Sequence, residues 1–297
     1  MANKKIIVIL GPTSSGKSDL AVQIAEQFNG EIISADSRQV YRGMDIGTGK
    51  INKKEMRGIP HYLLDVASPK RKFTVVQYRN LAQRELDRIF KKGKVPIICG
   101  GTAFYIYALI DGIVIPKVKP DWRLRQKLER LNTEQLLKRL EKLDPRRAEN
   151  IETKNRRRLI RALEIIIKTK KPVPSLKQKP LPYPILIIGI RKTTTELKDA
   201  IYKRLNKRLR QGMVAEVKRL KKSHLSWKRL ESFGLEYRYI AEYLQGCLNY
   251  EEMKEKLQRA IEHFAKRQMT WFKRDKRIRW VESYKEAETL LNDFLYL

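Results

Sequence analysis

Gly11-Pro12-Thr13-Ser14-Ser15-Gly16-Lys17-Ser18 confines the fold more tightly than any other stretch of this sequence. Ile6 to Leu10, just before it, is an unbroken apolar run of strand length. After it, Leu20, Ala21, Ile24 and Ala25 recur at helical spacing until Asn29-Gly30 ends the pattern. Strand, glycine-rich turn and helix form the context that a G-x-x-x-x-G-K-S/T phosphate loop requires. Glycines let successive backbone N–H groups face one concavity. The helix N-terminus and Lys17 add positive charge, and the Ser18 hydroxyl offers a ligand to Mg2+. Such a loop grips a di- or triphosphate without specifying which.

The chain continues in strand–helix alternation. Residues 31–35 and 61–66 read as strands, 76–90 as a helix, and 94–99 as a buried strand ending in Gly100-Gly101-Thr102. This predicts a P-loop NTPase-like α/β fold, a parallel sheet flanked by helices. Its ligands sit at the carboxyl ends of the strands, where 11–18, 34–39, 65–69 and 100–102 emerge. From about Lys117 the composition changes. Residues 117–179 hold 21 Lys and Arg against 8 Asp and Glu, and leucines repeat at helical spacing from Leu124 to Leu143. A basic helical insertion domain over 117–179 is expected. It interrupts a core made of 1–116 and 180–297. Pro-rich residues 171–184 close the insertion, residues 185–190 return to buried-strand character, 196–210 and 251–274 read as helices, and 278–281 as a last strand.

With 65 Lys and Arg against 33 Asp and Glu, the formal charge is +32, which points to a polyanionic partner such as nucleic acid. Cys99 and Cys247 have no metal spacing, the three histidines form no ligand cluster, and no secretory pattern or membrane-length apolar run occurs. A cytoplasmic protein without a membrane partner is expected.

Asp36 begins the stretch leaving the second strand. A carboxylate there suits three roles: a ligand for Mg2+, a general base toward a nucleophile, or a turn or N-cap residue. Arg157, Arg158 and Arg161 fall at helical spacings that suit phosphates along a nucleic-acid backbone, or a solvated face. Residues 266–274 interleave cations with Trp271 and Phe272, a pattern that suits stacking but also core packing.

Residues 11–18, Asp36 to Lys50, Gly100-Gly101-Thr102, Arg158 to Glu164 and Lys266-Arg267-Gln268 through Trp271 together resemble the tRNA dimethylallyltransferase (isopentenyltransferase) family over nearly the whole chain. Two positions depart from its pattern: Ala103 where Gly is expected, and Gly49 where Ala is commoner. With no Cys/His module after residue 281, the chain is similar to the compact bacterial form. The resemblance implies transfer of a dimethylallyl group from dimethylallyl diphosphate to N6 of adenosine 37 in tRNA, with Mg2+ as cofactor. The implied catalytic residues are Asp36, Thr102 and Lys17. The implied diphosphate ligands are Gly11, Pro12, Thr13, Ser14, Ser15, Gly16, Lys17, Ser18 and Arg204, with Ser18 also on the metal. For tRNA it implies Asp36, Ser37, Arg38, Gln39 and Thr102 near the pocket, and Arg125, Arg157, Arg158 and Arg161 on the insertion. Phe233, Gly234, Arg238, Lys266, Arg267, Gln268, Trp271 and Lys273 complete that set, in a protein expected to be a monomer. The residues alone leave two alternatives: a P-loop nucleoside or nucleotide kinase, and a nucleotide-regulated RNA-binding module.

Overall fold

A computed structural model describes residues 4–113, 116, 118–174 and 178–296; Lys117, the expected start of the insertion, lies outside them. The chain divides into two compact units, Met1–Asp111 with Pro180–Leu297, and Gly112–Lys179.

The larger unit is built on β1 (Ile6–Leu10), α1 (Lys17–Gln27), β2 (Gly30–Ser34), β3 (His61–Tyr62), α2 (Val75–Lys91), β4 (Val95–Gly100) and α3 (Ala103–Ile110). The smaller unit holds α4 (Trp122–Glu129), α5 (Thr133–Leu143), α6 (Pro145–Glu149) and α7 (Arg156–Thr169). The larger unit resumes with β5 (Ile185–Ile190), α8 (Thr194–Arg210), α9 (Met213–Lys222), α10 (Trp227–Ser232), α11 (Leu235–Leu244), α12 (Tyr250–Phe272), β6 (Ile278–Val281) and α13 (Tyr284–Tyr296).

The strands form one sheet of order β3-β2-β4-β1-β5-β6, parallel at every pairing among the described residues. β1 lies between β4 and β5, with Ile7 beside Ile97 on one side and Leu186 on the other. Every residue of β1 is buried, as a strand covered on both faces requires. From β1 the chain crosses to β2 on one side and later returns to β5 on the other. The crevice at the carboxyl end of β1 is therefore the switch point where ligands of open α/β sheets bind. Gly16 starts α1 at φ 88°, a left-handed conformation that any side chain would strain.

The third strand is shorter than the sequence pattern suggests. Leu63 and Asp65 take positive φ, so pairing with β2 ends at Tyr62. The chain then runs beside residues 40–42 instead: Ala67 N donates to Val40 O at 2.8 Å, and Arg42 N donates to Ala67 O at 2.9 Å. In the smaller unit, Leu128, Leu136, Leu140, Leu159, Leu163 and Ile166 share one core. α5 gives way to α6 at Asp144-Pro145, and Asp144 serves this break. Its buried carboxylate accepts from Arg147 N at 3.0 Å and from Val173 N at 2.7 Å, starting α6 and tying down the chain after α7.

Candidate active site

The phosphate loop lies between β1 and α1 at the switch point, held by side chains from distant elements. Thr13 N donates to Gln268 Oε1 at 2.9 Å, while Gln268 Nε2 donates to Gly101 O at 2.8 Å. Gln268, on α12, thus ties the loop after β1 to the turn after β4. It is buried, which replaces the expectation of an RNA contact at this position with a positioning role. Lys17 Nζ donates to Pro12 O at 3.1 Å. Burial, and then the Arg204 guanidinium, lower the Lys17 ammonium from its ordinary value to about 8. Arg204 reaches the loop from α8, with Nη1 on Thr13 Oγ1 at 3.3 Å and Nη2 on Gly49 O at 3.5 Å. Burial, and then Arg208, lower its guanidinium to about 10. Ser15 Oγ is buried and has no hydrogen-bond partner among the described residues, so the loop holds polar capacity that the protein itself leaves unfilled. Beneath the loop, burial pushes the Cys99 thiol up to about 12, leaving it neutral and unreactive.

Asp36 leaves β2 on the same rim. Its Oδ1 accepts from Arg38 N at 2.7 Å and Gln39 N at 3.3 Å, an Asx-type turn rather than a helix cap. The carboxylate is partly exposed and near enough to Lys17 and Arg204 to raise both groups' affinity for protons. Thr102 connects this turn to the one after β4: its Oγ1 accepts from Ser37 N at 3.0 Å, and its own N–H donates to Ala35 O at 3.2 Å. Gln39 Nε2 donates to Gly49 O at 3.2 Å, so Asp36–Gln39 and the glycine-rich 43–50 loop are joined.

The 43–50 loop is held by Glu216 of α9, which the sequence reading did not single out. This fully buried carboxylate accepts from the amides of Asp45 (2.8 Å), Ile46 (2.7 Å) and Gly47 (3.0 Å), and from Tyr237 Oη at 2.8 Å. Gly49, at φ +59°, has a local reason to be glycine. A Cβ there would lie 1.5 Å from Arg208 Nη2 and 2.2 Å from Arg204 Nη2.

Other expected RNA residues divide by exposure. Phe233 is buried, edge-on to Tyr41 at 5.1 Å, with the Arg229 guanidinium 4.3 Å from its ring centroid. It is core and offers no free face to a base. Arg238, Lys266, Arg267 and Lys273 are exposed, and Trp271 is exposed on α12 while stacking on Tyr107 at 5.7 Å. Gly234, at φ 77°, precedes α11. In the smaller unit, Arg157 and Arg158 are exposed, with Arg158 3.3 Å from Glu152. Arg125 and Arg161 instead converge on Glu164. Arg125 makes a bidentate pair at 2.8 and 2.7 Å, while Arg161 donates to the same carboxylate and to Val118 O. Glu164 is fully buried and both arginines, Arg125 of α4 and Arg161 of α7, are spent on it, so the row of cations expected along α7 loses Arg161.

Among the described residues no group of three His, Cys, Asp or Glu side chains is placed to hold a metal ion, and no helix is long and apolar enough to cross a membrane.

A family model described as IPP transferase matches residues 39–275. A tRNA dimethylallyltransferase of Acetivibrio thermocellus is 39% identical over 98% of this chain and 96% of its own length. A second relative, tRNA dimethylallyltransferase 2 of Citrifermentans bemidjiense, is 43% identical over 93% of this chain and 90% of its own. Among solved structures, the full-length tRNA isopentenylpyrophosphate transferase of Bacillus halodurans matches with TM-score 0.74 and 33% identity, covering 99% of this chain and 96% of that one. A eukaryotic dimethylallyltransferase acting on tRNA matches with TM-score 0.83 and 26% identity, covering 99% of this chain and 80% of that one.

Proposed function

The chain belongs to the IPP transferase family, and on that premise we propose that it transfers the dimethylallyl group of dimethylallyl diphosphate to N6 of adenosine 37 in tRNA, releasing diphosphate. One observation carries the reading at the level of chemistry. Two cations from separate elements, Lys17 and Arg204, converge on a phosphate loop whose rim also carries Asp36.

In this reading the allylic C–O bond breaks as the N6 lone pair forms the new C–N bond. The electron pair leaves with the diphosphate, whose growing charge the loop amides, Lys17 and Arg204 stabilise. Asp36 takes the N6 proton, an effect worth about 10²–10⁴-fold in rate. The two amides on its Oδ1 fix the carboxylate's direction. Thr102 holds the Asp36 turn to the end of β4. The donor set suits Mg2+: one hydroxyl, Ser18, with no carboxylate cage among the described residues, so most ligands would come from diphosphate and water. Mg2+ bound there would supply further charge neutralisation to the leaving group. The exposed cations on α7, α11 and α12 supply candidate contacts to the RNA backbone, and they offset the few kcal/mol needed to unstack a base. A monomer acting in the cytoplasm completes the proposal.

Incubation with tRNA and either labelled dimethylallyl diphosphate or γ-labelled ATP tests it. Prenyl label on tRNA is the expected result. Phosphoryl transfer would refute it in favour of a kinase, and no transfer in favour of a binding module.

A further inference from the structure

Behind the phosphate loop, α8 presents a second arginine one turn after Arg204. Arg208 is nine-tenths buried, and its Nη2 has no hydrogen-bond partner among the described residues. Its Nη1 is 3.3 Å from the Glu236 carboxylate and 3.5 Å from Gly47 O. The Nη2 atoms of Arg204 and Arg208 both approach the point where Gly49 lacks a Cβ, so two guanidinium edges stand side by side. A small cleft opens onto them, lined also by Thr13, Ser14, Glu236 and apolar Ile261. Within it, the side chain of Thr13 already accepts from Arg204.

Two buried cations in contact are unfavourable unless an anion joins them, and a buried N–H without an acceptor adds to that cost. One carboxylate, Glu236, does not neutralise the pair. Burial raises the Glu236 carboxyl while Arg208 opposes that shift, so it is an incomplete counterion. A guanidinium fork matches a phosphate geometrically, and two forks side by side match an anion with several oxygens.

We propose that Arg208 is a second phosphate-binding guanidinium, which pairs with Arg204 to clamp one phosphate of the diphosphate held by the loop 11–18. The clamp rests on the proposed function, because that reading puts diphosphate on the loop. Glu236 holds the Arg208 side chain in place before the anion arrives, and yields part of its hydrogen bonding when it does.

Calorimetric titration of the full chain with inorganic diphosphate and Mg2+ tests the clamp, with Lys17→Ala as the loop control and unmodified tRNA as a second ligand. Arg208→Met keeps the apolar stem and removes the fork. It should weaken diphosphate binding by about tenfold or more, the scale of one charge-assisted hydrogen bond lost from a buried site, while tRNA affinity stays within twofold. Glu236→Gln removes the competing charge and should tighten diphosphate binding severalfold. If Lys17→Ala loses diphosphate and Arg208→Met binds it within twofold of wild type, the clamp is refuted and the loop assignment stands. If Arg208→Met weakens tRNA but not diphosphate, Arg208 serves RNA and the clamp is likewise refuted. If Lys17→Ala binds diphosphate as wild type does, both readings fail. Should Arg208→Met not fold, Glu236→Gln decides: unchanged or weaker affinity overturns the clamp.

Discussion

Replacing Gln268 by Leu removes the amide that spans the site while leaving similar bulk. A part-buried backbone group, the Thr13 N–H (2.9 Å), and a buried one, the Gly101 carbonyl (2.8 Å), then lose their partners. Each unsatisfied group costs about 1–3 kcal/mol, and the two are close enough to relax together, so a loss of about 2–4 kcal/mol is expected. At roughly 2–4 °C per kcal/mol for a domain of this size, thermal unfolding should shift down by about 5–15 °C. Diphosphate affinity should fall as well, because the Thr13 amide belongs to the loop that would cradle the ligand. The assay is thermal denaturation of wild type and Gln268→Leu with and without diphosphate, beside direct tRNA binding. A Tm within one or two degrees of wild type, with the loss confined to tRNA affinity, would refute the positioning role and return Gln268 to the RNA surface.

Asp36→Asn keeps an oxygen acceptor for the amides of Arg38 and Gln39, so Tm should change little. Single-turnover prenyl transfer should nevertheless drop about 10²-fold or more if Asp36 is the base; a rate within a fewfold of wild type contradicts that role, and recovery at high Mg2+ assigns a metal role instead. Lys17 titrates near 8 in the folded protein against an ordinary value of 10.5. The unfolded chain therefore binds more protons between those values, and this group's contribution to stability rises with pH through that window. Diphosphate needs the ammonium, so affinity should fall above pH 8, and calorimetry at pH 8 in buffers of different ionisation enthalpy should show uptake of about half a proton, absent in Lys17→Met. The double substitution of Arg157 and Arg158 by Gln should flatten the salt dependence of tRNA binding without changing diphosphate affinity; an unchanged slope would mark both as solvated surface.

The strand and helix order of the sheet was readable because buried parallel strands are written as continuous apolar runs, as in Ile6–Leu10 and Ile185–Ile190. The third strand was overread at His61–Val66 because left-handed Leu63 and Asp65 leave no mark in an apolar pattern. Residues 213–244 fold into α9, α10 and α11, short helices whose caps at Gly212, Ser226 and Gly234 carry weak signals. Motif spacing and strand order found the phosphate loop and Asp36, since those signals are local, whereas Arg204 came only through the family resemblance. Gln268, Glu216 and Arg208 act through contacts 160 or more residues away, and sequence spacing is blind to such contacts. A carboxylate in a helix, such as Glu216 or Glu164, reads as solvated surface until the fold buries it among donors. For the same reason Arg161 read as one of a row of cations facing nucleic acid, while Arg125 entered only through the family resemblance.

The central position of β1 has a consequence for how the chain reaches this structure during synthesis. β1 pairs with β4 some 90 residues later and with β5 some 180 residues later, and β6 completes the edge only at Val281. The Gly112–Lys179 unit, by contrast, closes its own core from residues less than 70 apart. Local contacts form quickly and distant pairings slowly, so the helical unit consolidates on the ribosome while β1 still lacks a neighbour on one side. Until residues 185–190 emerge, five fully apolar residues present an unpaired strand edge. That interval is when the nascent chain is most exposed to aggregation and most dependent on a chaperone.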